Sequence, residues 1–142
     1  MIMVVTSCTN SKSFKSKPND VQREFIVDAK NIFKNKEIDY IYNSSYSSDD
    51  ISFILGDKDI TLDDFKIKII SEIKANGWFY LRRNGNSYVF CKDKKTQLEI
   101  SPPKSLLGNI KAQNGDILRQ LDNEWNIVFS KSKNIKRDCD EF

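Results

Sequence analysis

The chain has 142 residues, of which 39% are hydrophobic and 30% charged, with a net charge of +3 and no histidine. This length and composition predict one globular domain, and no apolar stretch approaches the roughly 20 residues of a membrane-spanning helix. The absence of histidine excludes Ser-His-Asp and Cys-His nucleophiles and His-based metal catalysis. The mild positive charge falls short of the basic stripe expected of a nucleic-acid-binding domain.

The first eight residues carry the most distinctive motif. An apolar run, 1–5, leads into Val5-Thr6-Ser7-Cys8, and a polar segment rich in Ser, Lys and Asn follows at 9–19. The motif resembles the lipobox of bacterial lipoproteins, whose cysteine receives a diacylglycerol. The resemblance covers residues 1–8 only and implies a lipid-anchored protein of the cell envelope, on the periplasmic side of the outer membrane in a Gram-negative cell. Cys8 would carry the lipid, and 9–19 would form a flexible tether.

A signal peptide normally has a basic region and a longer apolar run, and residues 1–8 have neither. A start codon upstream of Met1 would supply both. The alternative is a cytoplasmic protein whose terminus happens to contain Thr-Ser-Cys. Under the lipoprotein interpretation, Cys91 and Cys139 remain as an even pair, and an oxidising compartment would favour a disulfide between them. Otherwise Cys91 is a small apolar strand residue and Cys139 a loose thiol in the tail.

After the tether, residues 20–58 have the pattern of one helix and two strands. Helical periodicity marks 20–36, with Asp20 as the predicted N-cap. Strand-like segments at 38–42 and 51–55 follow, separated by a Ser-rich loop.

Residues 61–101 repeat this order. Thr61 begins a helix that Asn76-Gly77 ends, and strands follow at 78–81 and 88–91 around a tight turn. An additional strand at 96–100 ends at two prolines, which cannot continue a central strand. The apolar face of the helix is assigned to Phe65, Ile67, Ile69, Ile70 and Ile73.

The two segments align as approximate αββ units. An offset of 41 relates their helices, and an offset of 36 places Phe53-Ile54 on Val89-Phe90. The C-terminal strands, within 116–130, are predicted as a hairpin of 117–121 and 125–129, with a short helix at 115–121 as the alternative. The pattern therefore predicts an α+β fold, in which two helices pack on an antiparallel sheet. The domain spans 20–130, and 131–142 forms a charged tail.

The sequence offers little catalytic chemistry. Ser-x-x-Lys occurs three times, about as often as chance gives, at Ser71/Lys74, Ser101/Lys104 and Ser130/Lys133. The carboxylate pairs Asp49-Asp50 and Asp63-Asp64 are explained by a strand-leading loop and a helix start. We therefore expect a protein that is not an enzyme and has no metal or other cofactor.

The remaining distinctive feature is an aromatic hairpin. Alternation along the strand places Trp78, Tyr80 and Arg82 on one face and Phe79 and Leu81 on the other. If that face is exposed, it suits partner binding, because Trp, Tyr and Arg are enriched at binding hot spots. The alternative is that both faces are buried in the core. The candidate contact residues are Trp78, Tyr80, Arg82, Arg83 and Tyr88, with a second set at Tyr40, Tyr42 and Tyr46.

These observations favour a non-catalytic envelope lipoprotein that binds a protein or glycan partner, for example as an inhibitor or immunity-type protein. The alternative is a cytosolic nucleic-acid-binding or regulatory module that uses Arg82 and Arg83 with the hairpin aromatics.

Overall fold

The computed structural model describes residues 17–34, 36–107, 120–133 and 139. The first helix, α1, is Asp20–Ile32. The second, α2, consists of α-helical Leu62–Asp64, π-helical Phe65–Ile69 and α-helical Ile70–Ala75. A short α3 is Lys104–Leu107. The strands are β1 (Ile41–Ser44), β2 (Ser48–Gly56), β3 (Phe79–Asn84), β4 (Ser87–Asp93), β5 (Thr96–Ser101) and β6 (Glu124–Ser132).

The strands form one antiparallel sheet in the order β1-β2-β6-β5-β4-β3. The β1–β2 hairpin lies on one side of β6, and the β3–β4–β5 meander lies on the other. The last strand therefore joins the two predicted units, with Phe129 opposite Ile51 of β2 and Leu98 of β5. The predicted α+β fold with an antiparallel sheet is confirmed.

The core lies between the two long helices and one face of the sheet. Phe25 of α1 packs on Phe129, with ring centroids 5.5 Å apart, and Phe65 of α2 packs on Trp125 at 4.9 Å. Phe129 and Trp125 lie four residues apart on β6, so they point to the same face. The inner strands contribute the rest of the buried layer: Ile51, Phe53, Leu55, Phe90, Leu98, Ile100 and Ile127.

The helix boundaries follow their caps. Asn19, not Asp20, is the N-cap of α1: its side chain accepts a hydrogen bond from Gln22 N, and the Gln22 side chain accepts one from Asn19 N, both at 2.9 Å. Asp20 is instead the first helical residue, where the helix dipole favours a carboxylate. Thr61, which was predicted to begin α2, is its N-cap, and its hydroxyl accepts a hydrogen bond from Asp64 N at 3.0 Å. Gly77 follows this helix with a φ of 90°, a conformation that glycine adopts without strain.

The predicted alignment of the two units is wrong in the strands. Phe53 is buried and faces the helices, whereas its counterpart Val89 lies opposite Glu99 on the other face. Ile54 is 49% exposed, whereas its counterpart Phe90 is buried in the core. The predicted alignment is therefore one residue out of register. Because side chains alternate along a strand, it pairs each residue of the core-facing side with one of the opposite side. The units share their order of elements, not their register.

The C-terminal predictions hold only in part. The strand at 125–129 is part of β6, but Leu121 is not in a strand: its carbonyl oxygen, like that of Asp122, accepts a backbone hydrogen bond from α3. Residues 115–119 of the predicted hairpin or helix lie outside the described residues. The tail was predicted to begin at 131, yet Lys131 belongs to β6, where it pairs with Asp49 and Thr96.

A disulfide joins the far end of the chain to the sheet. The sulfur atoms of Cys91, in β4, and Cys139 are 2.04 Å apart, and both residues are fully buried. Of the two alternatives that the sequence left open, a bridge or two separate thiols, the structure has the bridge. Within the described residues, no helix has the length and apolar character needed to cross a bilayer.

Candidate functional site

The edge strand β3 presents two adjacent exposed aromatic residues. Phe79 is 57% exposed and Tyr80 is 44% exposed, and Arg82 and Arg83 are exposed as well. We call these four residues the β3 edge surface. Because β3 ends the sheet, it pairs with β4 on one side only.

A β-bulge divides this surface between the two faces of the sheet. Tyr80 lies opposite Phe90 but Arg82 lies opposite Val89, so the register shifts between them. The prediction that Tyr80 and Arg82 share a face is therefore wrong, because the extra residue of a bulge breaks the alternation of side chains. Phe79, opposite Cys91, shares the outer face with Arg82 instead.

On the helix-bearing face, Arg83 stacks on an aromatic ring. Its guanidinium carbon is 4.2 Å from the ring centroid of Tyr88, and its Nη1 donates to the Tyr88 hydroxyl at 3.4 Å. Tyr80 lies beside them, with its ring centroid 6.4 Å from that of Tyr88. The stacking orients the guanidinium and leaves an aromatic and a positive group side by side at the edge.

Trp78 does not belong to this surface, and its predicted role as a contact residue is corrected. It is 1% exposed, and its indole Nε1 donates to Asp28 Oδ2 at 3.1 Å. Lys92 donates to the same carboxylate oxygen at 2.8 Å and lies 5.5 Å from the Trp78 ring centroid. These contacts anchor the start of β3 to α1, so Trp78 is a core residue.

The second predicted contact set is also not a single surface. Tyr40 packs edge-on against Phe53, with centroids 5.4 Å apart, and its hydroxyl is buried without a hydrogen-bond partner among the described residues. Burial raises the pKa of Tyr40, and the nearby Tyr42 raises it further. Tyr42 is half-buried against the core, whereas Tyr46, in the β1–β2 loop, is 80% exposed.

The adjacent carboxylates of β2, Asp49 and Asp50, form hydrogen bonds within the fold on opposite faces of the sheet. Asp49 Oδ1 accepts hydrogen bonds from Asn19 Nδ2 at 3.0 Å and Ser44 Oγ at 2.5 Å, and Lys133 Nζ lies 3.3 Å away. Asp50 Oδ1 accepts from Ser130 Oγ at 2.5 Å. The two carboxyl groups do not face each other, so they do not form an acid–base pair.

The Ser-x-x-Lys motifs are not assembled as dyads. Ser130 donates to Asp50, and the Ser101 hydroxyl lies 2.6 Å from that of Ser87. No hydrogen bond in the described part of the chain joins the side chains of Ser71 and Lys74. Nor do three His, Cys, Asp or Glu residues come together there as a group that could hold a metal ion.

Phe79 and Ile67 are among the exposed apolar residues that sequence reasoning missed. Phe79 was assigned to one face of the hairpin, but neither its exposure nor the edge position of β3 follows from local pattern. Ile67 was placed on the apolar face of α2 but is 72% exposed. The sequence does contain a pattern that indicates the exposure of Ile67. It lies between Lys66 and Lys68, and it does not share the four-residue spacing of Phe65, Ile69 and Ile73.

We compared the chain with models of protein families, with curated proteins and with solved structures, and found no match.

Proposed function

We propose that this protein is an exported, lipid-anchored and non-catalytic binding protein, and that a protein partner docks on the β3 edge surface. One observation carries the proposal: Phe79 and Tyr80 are exposed beside Arg82 and Arg83 at an outer strand. Aromatic and arginine side chains are enriched where protein partners bind, because they contribute large contact areas and directed hydrogen bonds.

The bulge indicates how such a partner is engaged. An uninterrupted outer strand would invite pairing with a strand of another chain. The register shift between Tyr80 and Arg82 disrupts the ladder and turns their side chains to opposite faces. We therefore infer that the partner contacts side chains on both faces of the edge and does not extend the sheet.

Two features support export. The lipobox-like Val5-Thr6-Ser7-Cys8 implies lipid attachment at Cys8, and the Cys91–Cys139 disulfide suits an oxidising compartment. 

Site-specific crosslinking tests the binding surface. A photoreactive phenylalanine analogue is placed at Phe79 and, as a matched control, at Val27, which is equally exposed at 57% but lies on α1. We expect one discrete protein adduct at position 79 and none at 27. The purified partner should then bind the Tyr80→Ala and Arg83→Ala variants about thirtyfold more weakly, as hot-spot residues require. Equal crosslinking at both positions, or unchanged affinity, would exclude the β3 edge surface.

Mass analysis of the protein from its native cell tests the anchor. A diacylated N-terminal cysteine that is lost in Cys8→Ser is the expected result. A chain that retains unmodified Met1 would contradict lipid attachment.

The cytosolic alternative uses part of the same surface, because the Arg83–Tyr88 stack beside Tyr80 could also hold nucleic-acid bases. Titration with a single-stranded oligonucleotide distinguishes nucleic-acid binding from protein binding at this surface. Affinity that falls steeply with added salt would favour nucleic acid, whereas absence of binding at low salt would remove that alternative.

A further inference from the structure

A groove between the two long helices has the dimensions of a small-molecule site. It lies where the end of α1 approaches the π-helical part of α2 and has a volume of about 420 Å³, within the range of ligand pockets. Its apolar lining is formed by Ile32, Phe33, Ile67 and Ile69.

The π-helical segment brings an isoleucine to this groove on the solvent side. Phe65 and Ile73 are fully buried, while Ile67 is 72% exposed. Exposing so large an aliphatic side chain forgoes the stabilisation that its burial would provide. Segments of π-helix occur frequently at functional sites, and here the segment spans Phe65–Ile69 and includes two of the apolar lining residues.

The rim of the groove is positively charged. Three lysines and one glutamate line it, which gives a net charge of +2 (3 − 1). Lys34 is paired with Glu72 at 3.2 Å and Lys68 with Asp64 at 3.8 Å. Lys36 Nζ donates to the backbone carbonyl of Asp59 at 2.8 Å, a neutral group. Within the described residues, the charge of Lys36 therefore meets no carboxylate.

We propose that this groove binds an aliphatic carboxylate, such as a medium-chain fatty acid. The hydrocarbon chain lies along Ile67 and Ile69, where it covers apolar surface that is otherwise in contact with water. The carboxylate meets the ammonium group of Lys36, and the hydroxyl of Ser71 in the lining adds a hydrogen-bond donor. This site is separate from the β3 edge surface and does not depend on the function proposed for it.

Calorimetric titration of the full chain with decanoate, below its micelle concentration, tests the proposal. We expect saturable binding to one site, and no binding of decyltrimethylammonium, which has the same chain but the opposite charge. Ile67→Asn should weaken decanoate binding about tenfold, and Lys36→Gln about three- to fivefold, as expected for a partly exposed ion pair.

Val27→Asn is the matched control, because Val27 is also an exposed apolar helix residue but does not line the groove. It should bind decanoate as the unchanged protein does. Since both positions are exposed, neither substitution should unfold the chain, which circular dichroism verifies. Three results would overturn the proposal: no heat with decanoate, equal binding of the cationic analogue, or equal losses for Val27→Asn and Ile67→Asn.

Discussion

At the scale of single residues, Asp49 shows how a buried charge is accommodated in this fold. The residue is 7% exposed at the start of β2. Burial by itself would raise the pKa of its carboxyl group, but hydrogen bonds from Ser44, Asn19 and Lys133, with the positive charge of Lys133, lower the pKa below the ordinary value. The carboxylate links the N-cap of α1 to the end of β1 and to Lys133, the residue after β6, so its ionised form supports the fold.

We expect Asp49→Asn to lower the free energy of unfolding by about 1–2 kcal/mol at pH 7, because charge-assisted hydrogen bonds are lost. A carboxyl group whose pKa is lower in the folded than in the unfolded chain stabilises the fold above its unfolded pKa. That contribution is lost as the pH falls through the folded pKa. The difference between the two proteins should therefore shrink below about pH 4, the ordinary pKa of Asp.

Urea unfolding at a series of pH values measures this difference. Asp39→Asn, at an exposed position, is the control and should change stability little at any pH. A constant difference between Asp49→Asn and the unchanged protein from pH 7 to pH 3 would contradict the role given to the charge.

Trp78 provides a second prediction at this scale. Trp78→Ala should destabilise the protein by about 3–5 kcal/mol, because it leaves a cavity in the core and removes the bond to Asp28. Tyr80→Ala, two residues along on the exposed edge, should cost about 1 kcal/mol or less. Denaturant unfolding of both variants checks the contrast, and similar losses would mean that Trp78 is not a core residue.

At the scale of elements, the sequence predicted those helix and strand ends that depend only on residues adjacent in the chain. The Thr61 cap, the glycine after α2 and the strand-ending prolines each act through local geometry. The π-helical turn and the bulge after Tyr80 insert one residue into a regular repeat, so the patterns before and after them no longer share a phase. Periodicity assumes a constant phase, which is why strict alternation misplaced Arg82.

Gly77 tests a local element directly. Its φ of 90° is unfavourable for any residue with a side chain, although a Cβ there would meet Lys92 Cε at an ordinary 3.6 Å. Gly77→Ala should therefore cost about 1–2 kcal/mol through backbone strain alone. Lys74→Ala, at an exposed helical position, should leave thermal stability nearly unchanged. An equally stable Gly77→Ala variant would show that the turn does not require glycine.

At the scale of the whole molecule, non-local pairing determines the architecture. No local pattern indicates that β6 lies between β2 and β5, because its two partners precede it by tens of residues. The candidate site has the same origin: the insertion of β6 leaves β3 at the outside of the sheet, so the exposure of Phe79 and Tyr80 is a property of the topology. The pattern of helices and strands along the chain predicted the class of fold, but only the strand order locates its exposed edge.

The Cys91–Cys139 bridge gives a whole-molecule prediction, since it spans 48 residues. Reduction should lower the free energy of unfolding by about 4 kcal/mol. The Cys91→Ser/Cys139→Ser double variant should not respond to reductant, whereas Cys8→Ser should respond as the unchanged protein does. Guanidinium unfolding with and without reductant measures the effect, and an unresponsive native protein would count against the bridge.

The position of β6 also constrains biosynthesis. The two halves of the sheet are synthesised first, and each has an unpaired inner strand until residues 124–132 have left the ribosome. Such strands are open to pairing with other chains. The sheet can therefore close only after residue 132 has been synthesised, and a truncation before β6 would leave the β1–β2 hairpin and the β3–β4–β5 meander unjoined, each with an unpaired inner strand.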